Sequence, residues 1–518
     1  MMKSTFTKRI SLIILLIAIA IAGSGCGKNQ ATTNENDTLI ILQGVDATTL
    51  DPGMHSEGPT ANIEKQLFDT FLDQDTEMKI IPLVAKSWKM LNDTTWQFEL
   101  RDDIYFHDGK QLTTKDVKFS IERILDPNNK SSKIGDYKAV KAIETNGDYN
   151  LTIKTTEPYP LLLTRLASLR IVPEHYIKEV GNQQFSLKPI GSGPYKLKEW
   201  IKDEYVLFTA NENYWQGKPK IQNIKFKPVP EAASRIMALQ KGEADIIVNV
   251  PPHQVEQINN SEKASVEQVD SVRFIMLPIT TRNEKMKDLK VRQALNYAID
   301  VNSIIDNIFS GNAKPSSQPV GSYDLGFNRD LKPYGYNPEK AKQLLKEAGY
   351  EQGLKITMGA PTGRYIMDKE VAEAIKNQLE QVGFEVELSF PEWGNYVAEL
   401  FAGELKYDIW LIGWGSSTFD AGNTLNFWLN SSLKTCYYQT DKQTNDELNQ
   451  LIKQALTEIN EQDRINIYQQ ITNKIYNDAT FVNLYQQVDL YGVSNRINWQ
   501  PRPDESIRVY EASWKNIQ

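Results

Sequence analysis

Between Asn337 and Phe390 the chain spells out one helix-then-strand unit after another, and that alternation restricts the fold more than any other feature. Asn337-Pro338 supplies an N-cap and a proline at the first helical position, Ala341, Leu344, Leu345 and Ala348 recur at helical spacing, and Gly349 ends the helix. The next stripe, Val371, Ala372, Ile375, Leu379 and Val382, is closed by Gly383, after which Phe384, Val386, Leu388 and Phe390 alternate as a strand. Val291, Ala294, Leu295, Ala298 and Ile299 predict another helix, and residues 445–477 predict two more around Asn460. Such alternation argues for α/β lobes rather than an all-helical or all-strand protein. At 40% hydrophobic content the chain is long enough for more than one core.

The stretch from Trp88 to Arg123 reads as a second kind of unit. Trp96, Phe98 and Leu100 alternate with Gln97 and Glu99, the period of a half-buried strand. A short strand is expected at Ile104-Tyr105-Phe106, then a turn at Asp108-Gly109. Thr113 and Asp116 form a T-x-x-D capping box opening a helix whose apolar face is Val117, Ile121, Ile124 and Leu125.

This block resembles the signature of family 5 extracellular solute-binding proteins, the oligopeptide, dipeptide, glutathione and nickel receptors of bacterial ABC importers. Further stretches are similar to that family in its own order: Leu50-Asp51-Pro52, Gly191-Ser192-Gly193-Pro194-Tyr195, Asn211 through Tyr214-Trp215, Leu239 through Gly242-Glu243-Ala244-Asp245, Val291 through Leu295, and Ala341 through Ala348-Gly349-Tyr350. The resemblance covers nearly the whole chain after the leader. It implies a two-lobed periplasmic-binding-protein type II (cluster C) fold with an extra inserted domain. The implied division is lobe I from 38–53, 189–275 and 490–518, the additional domain from 54–188, and lobe III from 276–489. It also implies a receptor with no catalytic turnover and no cofactor, a monomer that hands a small peptide-like or glutathione-like solute to an ABC permease and its ATPases. A receptor for nickel or a metal chelate is the alternative within the class; a secreted hydrolase or a peptide-holding chaperone is the alternative outside it.

Lys3, Lys8 and Arg9 precede an apolar run from Ile10 to Ala22, too short to span a bilayer and followed by small residues up to Cys26. Residues 1–25 are therefore expected to be a signal peptide. Gly25-Cys26 looks like the end of a lipoprotein cleavage box, although Gly23 stands where such boxes usually carry Leu. Cys26 is thus the expected lipidation site, and the polar segment 26–37 a flexible tether holding the protein outside the cytoplasm at the cell membrane. Without the leader, 55 Lys and Arg against 66 Asp and Glu leave a net charge of −11, which argues against a nucleic-acid partner. The second cysteine, Cys436, has no pair left and is expected to be a small buried hydrophobe.

Local signatures of enzymes are missing from the sequence. There is no H-E-x-x-H, G-x-S-x-G or C-x-x-C, and His55, His107, His175 and His253 lie far apart. Gly191-Ser192-Gly193 reads as a turn, and His107 as a structural histidine. No histidine occurs after His253, so no metal ligand is assigned.

Candidate ligand contacts fall in two places. Ile409 to Ile412 reads as a buried strand, and the following stretch to Leu425 as a loop; loops at strand ends of open α/β sheets are where ligands bind. Peptide receptors of the resembled family carry in this loop an aspartate that meets the ligand's α-amino group. The matching position here is Ser417, with Asp420 three places later in the Asp-Ala spacing of the glutathione-receptor type. Asp420 is a candidate for an ammonium or a turn-capping carboxylate, and Trp414, Ser416, Ser417 and Asn423 are candidate contacts beside it. Arg165 and Arg170 lie in the otherwise apolar LLLTRLASLRIVPEHY, and Arg170 falls close to where the family's nickel and metallophore receptors hold a chelator's carboxylate; it is a candidate for a ligand carboxylate or for a salt bridge with a nearby acid.

Overall fold

The Thr113 capping box forms as the spacing requires: the backbone N–H of Thr113 donates to Asp116 Oδ2 at 2.9 Å and opens the helix Thr114–Leu125, which buries Val117, Ile121 and Ile124. This is a computed structural model, describing residues 37–416 and 418–515. The signal peptide, Cys26, all of the tether but Asp37, and Ser417 lie outside the described residues. The account below concerns the compact unit Leu39–Gln518.

The capped helix packs on a four-stranded antiparallel sheet ordered Ala85–Asn92, Thr95–Leu100, Asn150–Thr155 and Val140–Asn146. Phe98 and Leu100 point into that core as their alternation predicts. Residues 104–106 do not make the expected strand. Only an isolated bridge, Tyr105 to Gln111, forms, because the Asp108-Gly109 turn folds the segment tightly onto itself, with Phe106 N–H donating to the Lys110 carbonyl at 2.8 Å.

A nine-stranded sheet forms the spine of the molecule. Its order from one edge is Ile412–Trp414, Ala264–Pro278, Phe481–Ser494, Ile246–Ile247, Thr38–Gln43, Asn223–Pro228, Tyr205–Ala210 and Tyr195–Ile201, with Ala313–Pro315 pairing on Phe481–Ser494. Ala264–Pro278 and Phe481–Ser494 are long enough to serve two cores. Val493 and Tyr491 pack in one with Ile41, Phe208 and Ile224, whereas Ile275, Leu277, Val482 and Leu484 pack in another with Val291, Ile356 and Ile375. Between these ends the antiparallel register slips, from Asp270 opposite Val488 to Phe274 opposite Gln486. A bulge of this kind bends a strand pair.

The second core holds a three-stranded parallel sheet, Phe384–Ser389, Leu354–Gly359 and Ile409–Trp410, covered by the predicted helices Leu289–Ala298, Pro338–Glu347 and Asp368–Glu380. Asn337 caps Lys340 N–H at 3.0 Å as expected, and Asn460, between the two helices expected around it, caps Asp463 N–H at 3.1 Å. The apolar run 409–412 is split between two sheets, Ile409–Trp410 in the parallel one and Ile412–Trp414 at the edge of the spine.

Sequence stretches far apart lock together. Asp51 accepts from Arg123 Nη1 at 2.8 Å with both side chains buried, and Asp245 accepts from Arg496 Nη2 at 2.7 Å. Gly191 and Gly193 lie against the backbone of residue 67; a Cβ on Gly191 would sit 2.0 Å from the Leu67 carbonyl oxygen. Gly193 N–H donates to that oxygen at 2.8 Å, and Tyr195 N–H to the Gln66 carbonyl at 2.9 Å. The glycines are therefore required by close backbone approach rather than by turn conformation.

Candidate ligand-binding cleft

A cavity of about 1450 Å³ opens between three groups of side chains. One wall comes from residues 55–83 and 132–170, the opposite wall from 401–457, and the floor from 272–273 and 502–511. It exceeds the ~300–1,000 Å³ usual for a single small-molecule site. Nine acidic and nine basic residues line it, so its lining carries no net formal charge.

Most of these charges are paired. Arg508 grips Asp73 through two bonds of 2.7 and 2.8 Å, and Arg273 grips Glu505 through two of 2.7 and 2.8 Å. Such bidentate forks hold the floor to the first wall and to the register slip of the spine. Arg165 pairs with Asp136 at 3.0 Å. Burial shifts several groups toward neutrality: Lys65 and Lys133 fall to about 8, and Asp69 rises to about 6 despite bonds from Tyr214 Oη at 2.8 Å and Trp215 Nε1 at 3.2 Å. Asp504 is driven well below the usual carboxylate range: burial opposes the charged form but is outweighed by Lys65, Arg502 and Arg508.

Of the candidate residues, Trp414, Ser416, Asn423 and Arg170 line the cavity. Trp414 donates through Nε1 to Thr424 Oγ1 at 3.2 Å, and Ser416 Oγ donates to the Asp420 carbonyl at 3.1 Å. Arg170 is only 7% exposed; its guanidinium stands 3.9 Å from Glu64 and donates to the Ala61 carbonyl at 3.1 Å, the salt-bridge alternative. Asp420 is not among the lining residues. It is 3% exposed and caps the helix Ala421–Leu429 by accepting from Gly422 N–H at 2.8 Å, with Arg464 Nε at 3.1 Å and Tyr468 Oη also bonded to it. That cap ends the loop at Asp420, five residues earlier than the expected Leu425, and puts Asn423 on a helix.

Sequence reasoning missed much of the lining. Asp73, Arg273, Asp504, Glu505 and Arg508 come from segments without a recognisable motif, and the only signal was the density of charge in 502–511. It also missed Arg364. This residue follows the parallel strand Leu354–Gly359, and its guanidinium stacks 5.0 Å from the Tyr365 ring centre and 5.3 Å from that of Trp393. Among the described residues no carboxylate lies within ion-pair distance of it, and burial together with neighbouring Arg273 lowers its pKa. Glu505 and Asp368 oppose that lowering, and Arg364 is not among the residues that line the cavity.

Other sequence expectations meet defined surroundings. His107 accepts from Gly191 N–H at Nδ1 (3.1 Å) and donates from Nε2 to the Gly193 carbonyl (3.1 Å), and burial pulls its pKa down to about 4. It is a neutral structural tie. Cys436 is buried, its thiol pushed up to about 11 by burial and bonded to the Tyr438 carbonyl at 3.0 Å. No group of three or more His, Cys, Asp or Glu side chains placed to hold a metal ion occurs among the described residues, and no described helix is long and apolar enough to cross a membrane.

Two cores joined by a bent pair of long strands, with a charge-balanced cleft between walls drawn from distant segments, give the mixed α/β architecture of a two-lobed solute-binding protein. The chain belongs to the bacterial extracellular solute-binding proteins, family 5, whose family model matches residues 79–436. Among curated relatives it is 26% identical over 470 residues to the oligopeptide-binding protein AppA of Bacillus subtilis, covering 86% of each chain. It is 27% identical over 457 residues to the glutathione-binding protein GsiB of Pectobacterium atrosepticum, covering 86% of this chain and 88% of that one. A solved structure of the periplasmic binding protein DppA from Helicobacter pylori in complex with the peptide STSA superposes with a TM-score of 0.82 at 25% identity, over 92% of this chain and 98% of that one.

Proposed function

We propose that this protein is the membrane-anchored substrate-binding lipoprotein of an ABC importer, capturing a zwitterionic peptide in the cleft and delivering it to the permease. The observation that carries this reading is the large cavity whose eighteen charged lining residues balance to zero, which suits a ligand with one charge of each sign and no net charge. The curated name of the Bacillus subtilis relative above, for oligopeptides, supports a peptide ligand. Trp414, Ser416 and Asn423 contact the ligand, and the charged residues of the first wall and the floor, Arg170 among them, meet its termini. The division into lobe I, the additional domain and lobe III follows the ranges given above, and the lobes close by bending at the register slip between Asp270 and Phe274. Cys26 carries the lipid that holds the protein at the outer face of the membrane.

Titrating tetraalanine into the protein, with small-angle scattering on the same samples, tests the reading. Saturable binding with a smaller radius of gyration and a raised melting temperature is expected. Saturation without any change in scattering overturns the closing-lobe model, and no saturation by any peptide overturns peptide capture.

A further inference from the structure

The cleft divides its chemistry between its two sides. Seventeen of the eighteen charged lining residues lie on the first wall and the floor; the wall from 401–457 contributes only Lys453, itself exposed. What that wall offers instead is aromatic. Phe401, Trp414, Phe419 and Phe427 all line the cavity. Phe401 stands edge-on to Phe427 with ring centres 5.5 Å apart, and Phe427 lies tilted on Trp414 at 4.5 Å. Trp428 supports both from behind, 5.1 Å from Trp414 and 4.8 Å from Phe427, and is buried.

Two features separate this shelf from ordinary core. Phe401 is 53% exposed although it belongs to a contiguous aromatic group, and contiguous exposed apolar surface inside a cleft marks a contact. Phe419 holds φ at +52°, a backbone conformation disfavoured for a bulky side chain. The loop is fixed there because Leu325 N–H donates to the Phe419 carbonyl at 2.8 Å while the next residue caps a helix. Strain held by surrounding bonds at a ligand-facing loop is a recurrent feature of binding sites. Across the cavity Ile81, Pro82 and Leu83 present a second apolar surface.

We infer that the Phe401, Phe427, Trp414 and Phe419 shelf is a side-chain subsite that selects peptides carrying a bulky apolar or aromatic residue. This rests on the peptide reading above and narrows it. The charged wall and floor meet the ligand's termini, and the shelf removes one large side chain from water. A ligand with ionised groups along its length would leave a charge against the aromatic wall with a single exposed lysine to meet it, which disfavours strongly anionic solutes.

Calorimetry of the purified protein with tetraalanine and its four single-phenylalanine variants tests the subsite. At least one phenylalanine peptide should bind tenfold or more tighter than tetraalanine, as expected when a large apolar surface leaves water. In Phe401→Ala that ratio should drop to about threefold or less, and Phe401→Leu should retain an intermediate ratio because it keeps an apolar surface. Equal affinities across the five peptides, or an unchanged ratio in Phe401→Ala, overturn the shelf while leaving peptide capture standing. Failure of all five to saturate overturns peptide capture and the shelf with it.

Discussion

Arg464 closes on Asp420 from behind the cleft wall, its Nε 3.1 Å from Oδ2, and both side chains are almost wholly buried. Asp420 is thereby committed three ways, to Arg464, to Tyr468 and to the first turn of the helix Ala421–Leu429. Asp420→Asn keeps the size of the side chain but strands the Arg464 charge. Breaking a buried pair from one side costs about 3–5 kcal/mol, and the Glu458 carbonyl, 2.8 Å from Arg464, offsets part of that. Urea unfolding should show a loss of about 2–4 kcal/mol. A variant as stable as the wild type would show that the pair contributes little.

Gly191→Ala should abolish or severely impair folding, because its Cβ would fall 2.0 Å from a backbone oxygen that cannot move aside without breaking the Gly193 bond. Gly44→Ala, with nothing within 4 Å of the added methyl, should change stability by less than about 0.5 kcal/mol. Comparable melting temperatures for the two variants would contradict the close-packing account.

The His107 tie makes stability depend on pH in a defined direction. Its folded pKa of about 4 lies below the 6.5 of a free imidazole, so between those values the unfolded chain binds more protons than the folded one. Stability from this residue is therefore full above pH 6.5 and is lost as the pH falls toward 4, by an amount on the order of 1–3 kcal/mol for a partly screened ring. His107→Gln keeps one donor and one acceptor and does not titrate. The difference in unfolding free energy between wild type and variant should slope over pH 4.5–6.5; a flat difference would mean that the imidazole titrates alike in both states.

Helices with their own stop and start chemistry were legible residue by residue. Thr113 with Asp116 and Asn337 with Pro338 act on backbone groups within four residues, so spacing alone identifies them. Residues 104–106 were misjudged because three apolar-rich residues fit a strand locally, and no second strand lies beside them to complete a ladder. Asp420 was read with two roles open because a capping carboxylate and a ligand-binding one look alike until Arg464 and Tyr468, more than forty residues away, are brought against it.

What the sequence alone determined is everything governed by near neighbours: the alternating helix and strand units, their caps, the breaks at Gly349 and Gly383, and the order of short motifs that resembles the solute-binding family. What only the tertiary structure decided is the cleft. Its charges pair across long separations, Arg508 with Asp73 and Arg273 with Glu505, and its aromatic wall gathers Phe401, Trp414 and Phe427 from two helices and a strand end. A binding surface is a sum over distances in space, and electrostatic pairing and apolar packing act on those distances without regard to separation along the chain.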